Sequence, residues 1–593
     1  MWFTLAAILV GLVAAGPIAK DDKNNVIYEG IDRNGIEVFL GIQYAQDTGG
    51  ANRFKPPQAF VPAQGSKVDA TKAGLPCPQQ LGQWNAPLTL LNVTEFSENC
   101  LNLNIARPHS EKAAVEGGLP VLLWIHGGSF WVGSNIEPTH MPDGFVRESV
   151  EGGTPVMHVA INYRLGLFGF AQSAALRDQK SENAALRDQR FAIEWVRDNI
   201  HVFGGNGNNI TIAGQSSGGL AVGLHLLAYG GTIPLPYQRG IAQSQALEPG
   251  IVNAGNGFTQ VAFRKVVDHI GCKDGANYDS PQVIDCLRGK DTYTLFNSSL
   301  ATYTGDIAHN IGDIWLPSVD GDFLPEAPSQ LLSKGKFGDA TYMLGWANDD
   351  VNFYTDVTIA SADAAKNFIQ TYVPTLPNSA DLNLVDMYNI SDFAPPSGTN
   401  LTAEFYRAAR AFRDILMVCE PLYMAEAMHR FDKKVYLYNF NQTIIDPILA
   451  AVYNVSGMGV VHTSEFAYIW GNLSAYNVSG YPFNPTDADV DLMHRASRAW
   501  SRFVSTGVVQ EVQNPSANID GGLKGWLHAF WDANDPLAPR DSPGYPHVFT
   551  IGGPSEGLFP IDGPDSPEVW KKQKMVEKCG FLNTPSVVRQ LGF

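Results

Sequence analysis

The chain has 593 residues, 45% of them hydrophobic and 17% charged, a balance that fits a soluble globular protein with a large core and excludes a disordered or fibrous chain. A formal charge of −18 and a pI near 5.1 argue against nucleic acid or an anionic membrane as a partner, because either polyanion would be repelled. Length alone predicts roughly three or four domains, an expectation that the motif pattern below replaces with one.

The opening stretch, MWFTLAAILVGLVAAGPIAK, holds an apolar run followed by small residues. It is too short to span a bilayer and suits a signal peptide over residues 1–19, cleaved between Ala15 and Ala19. No Lys or Arg precedes Trp2, so the amino terminus alone supplies the positive charge of the leader. Further on, PVLLWI (120–125) and VMHVAIN (156–162) are short, β-rich and apolar on both faces, as strands of a covered, largely parallel sheet are. The stretch AALRDQRFAIEWVRDNI (184–200) has helical spacing, NITIAG (209–214) reads as a third strand, and GLAVGLHLLAYG (219–230) reads as an apolar helix. This alternation predicts an α/β fold with a large, mostly parallel central sheet and helices on both faces. AALRDQ occurs at 174–179 and again at 184–189, a local duplication rather than a solenoid, which needs at least three units. Beyond about residue 350 the pattern is less regular, and APPSGT (394–399) and PLAPRDSPGYP (536–546) mark loops.

Two stretches have G-x-S-x-G spacing, GQSSG from Gly214 and GPSEG from Gly553. A nucleophilic serine at such a turn needs a strand before it and a helix after it, so that the bend exposes the hydroxyl and the helix start aims N–H groups at developing negative charge. Ser216 has NITIA before it and the apolar helix after it. Ser555 follows the strand-like HVFTI, but Pro560 and Pro564 come next and block a helix. Ser216 is therefore the candidate nucleophile and Ser555 a loop residue.

Six cysteines, Cys77, Cys100, Cys272, Cys286, Cys419 and Cys579, include no C-x-x-C pair, which points to disulfides in an oxidising compartment rather than to zinc or a redox dithiol. Nine N-x-S/T sequons begin at Asn92, Asn209, Asn297, Asn389, Asn400, Asn441, Asn454, Asn472 and Asn477, which are candidate glycosylation sites on a secreted chain. No apolar tail follows Cys579, so a lipid-anchor signal is not expected.

The segments GIQYA with RFKPP (41–57), ENCLNLNIARP (98–108), LLWIHGGSF (122–130), INYRLGLFGF (161–170), the run 183–219, LGWANDDVNFY (344–354) and VVHTSEFAYIWG (460–471) occur together in this order. In them the chain resembles the type-B carboxylesterase/lipase family of α/β-hydrolases, which also contains the cholinesterases. The resemblance runs from about residue 25 to 580 and implies one catalytic domain over 20–593 with the α/β-hydrolase fold. It puts the catalytic acid at Asp350, where the family more often has Glu, with the neighbouring Asp349 as the alternative. It puts the histidine at His462, giving the chain order Ser, Asp, His. The implied oxyanion hole is formed by the amides of Gly128, Ser129 and Ser217, at two of which the family has Gly and Ala instead of serine. Gln215 stands where the family commonly has Glu, which removes one buried charge beneath the site.

The resemblance further implies salt bridges Arg53–Glu98 and Arg164–Asp188 and loop disulfides Cys77–Cys100 and Cys272–Cys286, with Cys419 and Cys579 left over as the remaining pair. Trp84 and Trp131 are candidate pocket-lining aromatics. The expected chemistry is hydrolysis of a small-molecule ester through an acyl-enzyme, with no metal or organic cofactor. Only 22 residues separate Cys77 from Cys100, too few for the long amphipathic lid of family lipases, so soluble short- or medium-chain or aromatic esters are expected over triglycerides. Lipase action is the alternative. A non-catalytic, adhesive role, known in the family, is disfavoured because all three triad positions are filled.

Overall fold

The computed structural model describes residues 16–109, 115–247, 258–305, 314–373, 384–509, 522–530 and 545–591. One eleven-stranded sheet runs through them. Its strands in chain order are β1 (Ile31–Arg33), β2 (Ile36–Gln43), β3 (Asn102–Pro108), β4 (Leu119–Ile125), β5 (Met157–Ile161), β6 (Gly205–Gln215), β7 (Arg239–Gln243), β8 (Thr341–Ala347), β9 (Val435–Phe440), β10 (His547–Ile551) and β11 (Gly557–Pro560). Their spatial order is β11-β10-β9-β8-β7-β6-β4-β5-β3-β2-β1. The pairings from β5 through β4 and β6 to β10 are all parallel, and those at the two margins are antiparallel. A small separate sheet joins Ile18–Asp21, Val26–Glu29 and Lys67–Asp69.

The continuous apolar runs read from the sequence have their cause in two-sided burial. Along β4, Val121, Leu123 and Ile125 enter one core while Leu122 and Trp124 enter the other. The first core is completed by α1 (Ala184–Asn199) and α2 (Ser217–Leu227), the second by α3 (Asp487–Thr506) through Leu492, Trp500 and Phe503. Every residue of α2 is buried, which is why its sequence is apolar around the whole circumference. Each fully buried Leu, Val or Phe contributes on the order of 2 kcal/mol.

The connectivity fixes where chemistry can occur. From β4 the chain passes to β5 on one side and then returns to β6 on the other, so the loops after β4 and β6 diverge at a topological switch point. A crevice opens at the carboxyl ends of strands at such a point. The loop after β4 is HGGSF and the turn after β6 is GQSSG. All three disulfides pair as expected, Cys77–Cys100, Cys272–Cys286 and Cys419–Cys579. Among the described residues no helix is long and apolar enough to cross a membrane.

Candidate active site

Ser216 sits at the end of β6 with φ 60° and ψ −133°, a strained left-handed conformation that turns its side chain away from both the strand and α2. Its amide donates to Gln243 O on β7 at 2.9 Å. A Cβ at Gly218 would lie 2.2 Å from Ile125 O, so only glycine lets α2 start this close to β4. Ser555 instead lies in the connection between antiparallel β10 and β11, so a strand and not a helix comes next.

His462 and Asp350, 112 positions apart, meet because β8 and the loop ahead of the helical turn Phe466–Ile469 converge: His462 Nδ1 and Asp350 Oδ1 are 2.5 Å apart, and the His462 amide donates to Asp350 O at 3.0 Å. Asp350 Oδ2 accepts from the Ala347 amide at 2.8 Å, so both carboxylate oxygens are engaged and the group is fully buried. The neighbouring Asp349 does not reach the ring. Its Oδ2 accepts from the Val460 amide at 3.0 Å and anchors the histidine loop. Tyr354 packs edge-on against the imidazole, with centroids 5.4 Å apart.

Ser216 and His462 line one narrow pocket of about 70 Å³ together with Gly128, Ser129 and Trp84. Among the described residues, the amides of Gly128, Ser129 and Ser217 donate to no protein acceptor. Ser129 and Phe130 both have positive φ, 55° and 53°, the conformation for which glycine is better suited. The serine at 217 has an evident use, since its Oγ accepts from the Phe130 amide at 3.1 Å and ties the Ser216 turn to the HGGSF loop. Close beneath, burial lowers the pKa of His126 to about 4, so the ring is neutral, with Nδ1 2.9 Å from Gly127 O and its face stacked on Tyr163.

Trp131, the second aromatic expected near the pocket, is not among the residues that line it. It is buried against Tyr303, with centroids 4.6 Å apart and planes 7° from parallel. The Arg53–Glu98 pair is doubly bonded, and Arg53 also donates to the carbonyls of Leu287 and Lys290, which locks the segment before Cys100 to the one after Cys286. Arg164 and Asp188 form a buried two-bond pair at 2.7 and 2.6 Å. Of the sequons, Asn92, Asn297, Asn389, Asn400, Asn454 and Asn477 are exposed. Asn441 and Asn472 are half-buried. Asn209 departs from the expectation: its amide donates to Ser505 O and accepts from Arg239, so both ends are engaged.

Three features escaped sequence reasoning. The 77–100 segment is a short hairpin, Gly82–Gln83 against Asn92–Val93, held down by the buried Glu137 carboxylate, which accepts from the amides of Leu90 and Leu91 at 2.8 and 3.0 Å. Glu465, buried behind the imidazole, accepts from Gln243, and burial, reinforced by the Asp350 charge, lifts its pKa to about 7. Finally, His462 Nε2 takes its hydrogen bond from Gln215 at 3.0 Å and none from Ser216. No periodicity or motif could have signalled these, because each joins residues far apart in the chain.

Comparison with known proteins places the same features in context. The model of the carboxylesterase family matches residues 26–535. A secreted lipase of Arthroderma benhamiae is 45% identical over 589 residues, covering 99% of this chain and 98% of that one. An inactive carboxylesterase-like protein of Byssochlamys spectabilis is 33% identical, covering 96% and 94%. The crystal structure of Aspergillus niger EstA has the same α/β-hydrolase fold, with a TM-score of 0.72 over 98% of this chain and 99% of that one, at 22% identity.

Proposed function

The chain belongs to the carboxylesterase family and is a carboxylic ester hydrolase, and from that premise we propose that it is a secreted serine esterase whose triad is Ser216, His462 and Asp350. The observation that carries this reading is the 2.5 Å Asp350–His462 contact, with His462 lining a pocket that Ser216 also lines. Asp350 fixes the proton on Nδ1 and leaves Nε2 as the base. Ser216 Oγ attacks the ester carbonyl while Nε2 takes its proton, and the amides of Gly128, Ser129 and Ser217 stabilise the oxyanion by about 3 kcal/mol per donor. Protonated His462 then passes that proton to the leaving alcohol. Water, deprotonated by the same nitrogen, releases the acid and restores the serine.

Soluble short- or medium-chain or aromatic esters fit best, because the pocket is narrow and the 77–100 segment is a pinned hairpin. A lipase reading is favoured by the relatives named lipases and by Leu81, which is exposed between the pocket residues Gln80 and Gly82. For the leader, Ile18 already pairs with Glu29, so cleavage at Ala15 or Gly16 preserves that strand, whereas cleavage at Ala19 would remove half of it. Residues 1–15 lie outside the described residues. Hydrolysis of p-nitrophenyl esters across acyl lengths, beside Ser216→Ala, tests the assignment: the variant should be inactive and the parent should favour short or medium chains. Equal rates in both would refute it. A rate jump at the solubility limit of tributyrin would establish the lipase reading instead.

A further inference from the structure

The hydrogen bond that His462 Nε2 receives has a consequence for the reaction, and the inference drawn from it rests on the triad reading above. Nδ1 faces a carboxylate at 2.5 Å and carries the ring proton, so Nε2 of the neutral imidazole offers only a lone pair. Only the NH₂ end of Gln215 can satisfy that lone pair at 3.0 Å. Both side chains are 2% exposed, so water does not weaken the contact by competition. The lone pair is the one that must accept the Ser216 proton. Once it has, Nε2–H faces the amide, and Gln215 meets it only by presenting Oε1 after rotation of its terminal amide.

We propose that Gln215 is a positioning residue that holds His462 Nε2 in the resting enzyme, yields it to Ser216 when substrate enters, and, being uncharged, puts no second negative charge against the base. Among the described residues one charge is bonded directly to the ring, and the other titratable groups stand at longer range or are neutral. Among the described residues, Asp350 is the carboxylate bonded to the ring. Glu465 stands behind it at longer range, accepts from Gln243, and has its pKa lifted to about 7 by burial and the Asp350 charge. His126 and His140 line the pocket and are held neutral by burial, Glu137 is spent on backbone amides, and burial holds the Tyr438 phenol well above its usual range and hence uncharged. A second carboxylate at position 215 would therefore enclose the ring between two negative charges.

The test is the pH dependence of kcat/KM for p-nitrophenyl butyrate in Gln215→Glu and Gln215→Leu. In Q215E the acidic limb should move up by about one pH unit or more, with the high-pH plateau retained within roughly tenfold. Q215L removes the donor that favours the neutral ring, so its limb should lie between those of Q215E and the parent. Should the glutamate variant fail to fold, Q215L decides alone. Limbs that coincide with the parent's to about 0.2 pH unit, with only melting temperature changed, would reduce Gln215 to a packing residue and overturn the inference. Failure of the triad itself would show differently, as activity surviving in Ser216→Ala at every pH.

Discussion

Replacing Asp350 by Asn keeps the shape of the site and removes one charge. In the parent, Oδ1 accepts from His462 Nδ1 at 2.5 Å and Oδ2 accepts from the Ala347 amide at 2.8 Å, with no exposure to water. For charge centres about 4 Å apart at an effective dielectric of about 20, the attraction lost when the imidazolium forms is about 4 kcal/mol, or close to a thousandfold in rate. A second effect adds to it. An amide presenting NH₂ to the ring favours the tautomer with its proton on Nε2, which removes the base, so the total loss in kcat/KM should be about 10³ to 10⁴. Steady-state hydrolysis of p-nitrophenyl butyrate at pH 8, with melting temperature measured in parallel, reads both terms. Asp349→Asn is the control: it weakens the Val460 anchor and should lower the melting temperature while leaving kcat/KM within about tenfold. A D350N enzyme within tenfold of the parent, or a D349N enzyme that is the dead one, would refute the reasoning.

The remaining expectations are narrower. Because the Glu465 carboxyl has its pKa raised from 4.5 to about 7 in the fold, the folded chain binds the extra proton between those values; its stabilisation is complete below about pH 4.5 and is lost as pH rises through 7. That loss is roughly 3 kcal/mol, so Glu465→Gln should flatten the fall in denaturant midpoint between pH 5 and pH 8, and an unchanged slope would show that Glu465 does not titrate there. Gly127→Ala places a Cβ 2.4 Å from Gln215 O and 3.0 Å from Ser216 Cβ, so it should cost at least a hundredfold in kcat through displacement of the nucleophile turn. Parent-like kinetics would show that the turn can give way. The Cys419–Cys579 bridge closes a loop with a sequence separation of 160, and by chain entropy its removal in the double serine variant should cost about 5 kcal/mol in chemical denaturation. Glycopeptide mass spectrometry should find Asn209 unmodified, and a glycan there would contradict its inward hydrogen bonds.

Local physics made much of this legible before any coordinates. Strands β4 and β5 are apolar on both faces and bounded by turns, and the strand-turn-helix around Ser216 has a glycine signature that only a sharp bend requires. His462 and Asp350 could be named only through a family resemblance, since nothing in the spacing of 112 positions says that they touch. The choice between Asp349 and Asp350 depended on which carboxylate points toward the ring, a matter of one backbone step. Whether Trp131 faces substrate was likewise not legible, since an aromatic beside such a motif can stack in the interior, as Trp131 does on Tyr303. The Gln215 contact was beyond reach because its meaning lies in a proton position set by another residue.

The central claim, that Ser216 is the group made nucleophilic, is tested most directly by covalent capture. Treating the enzyme with a fluorophosphonate ester and mapping the adduct by peptide mass spectrometry should give one equivalent of label, located on Ser216 and accompanied by complete loss of esterase activity, with no label in His462→Ala. An adduct on any other residue, Ser555 included, or full activity after stoichiometric labelling of Ser216, would contradict the account.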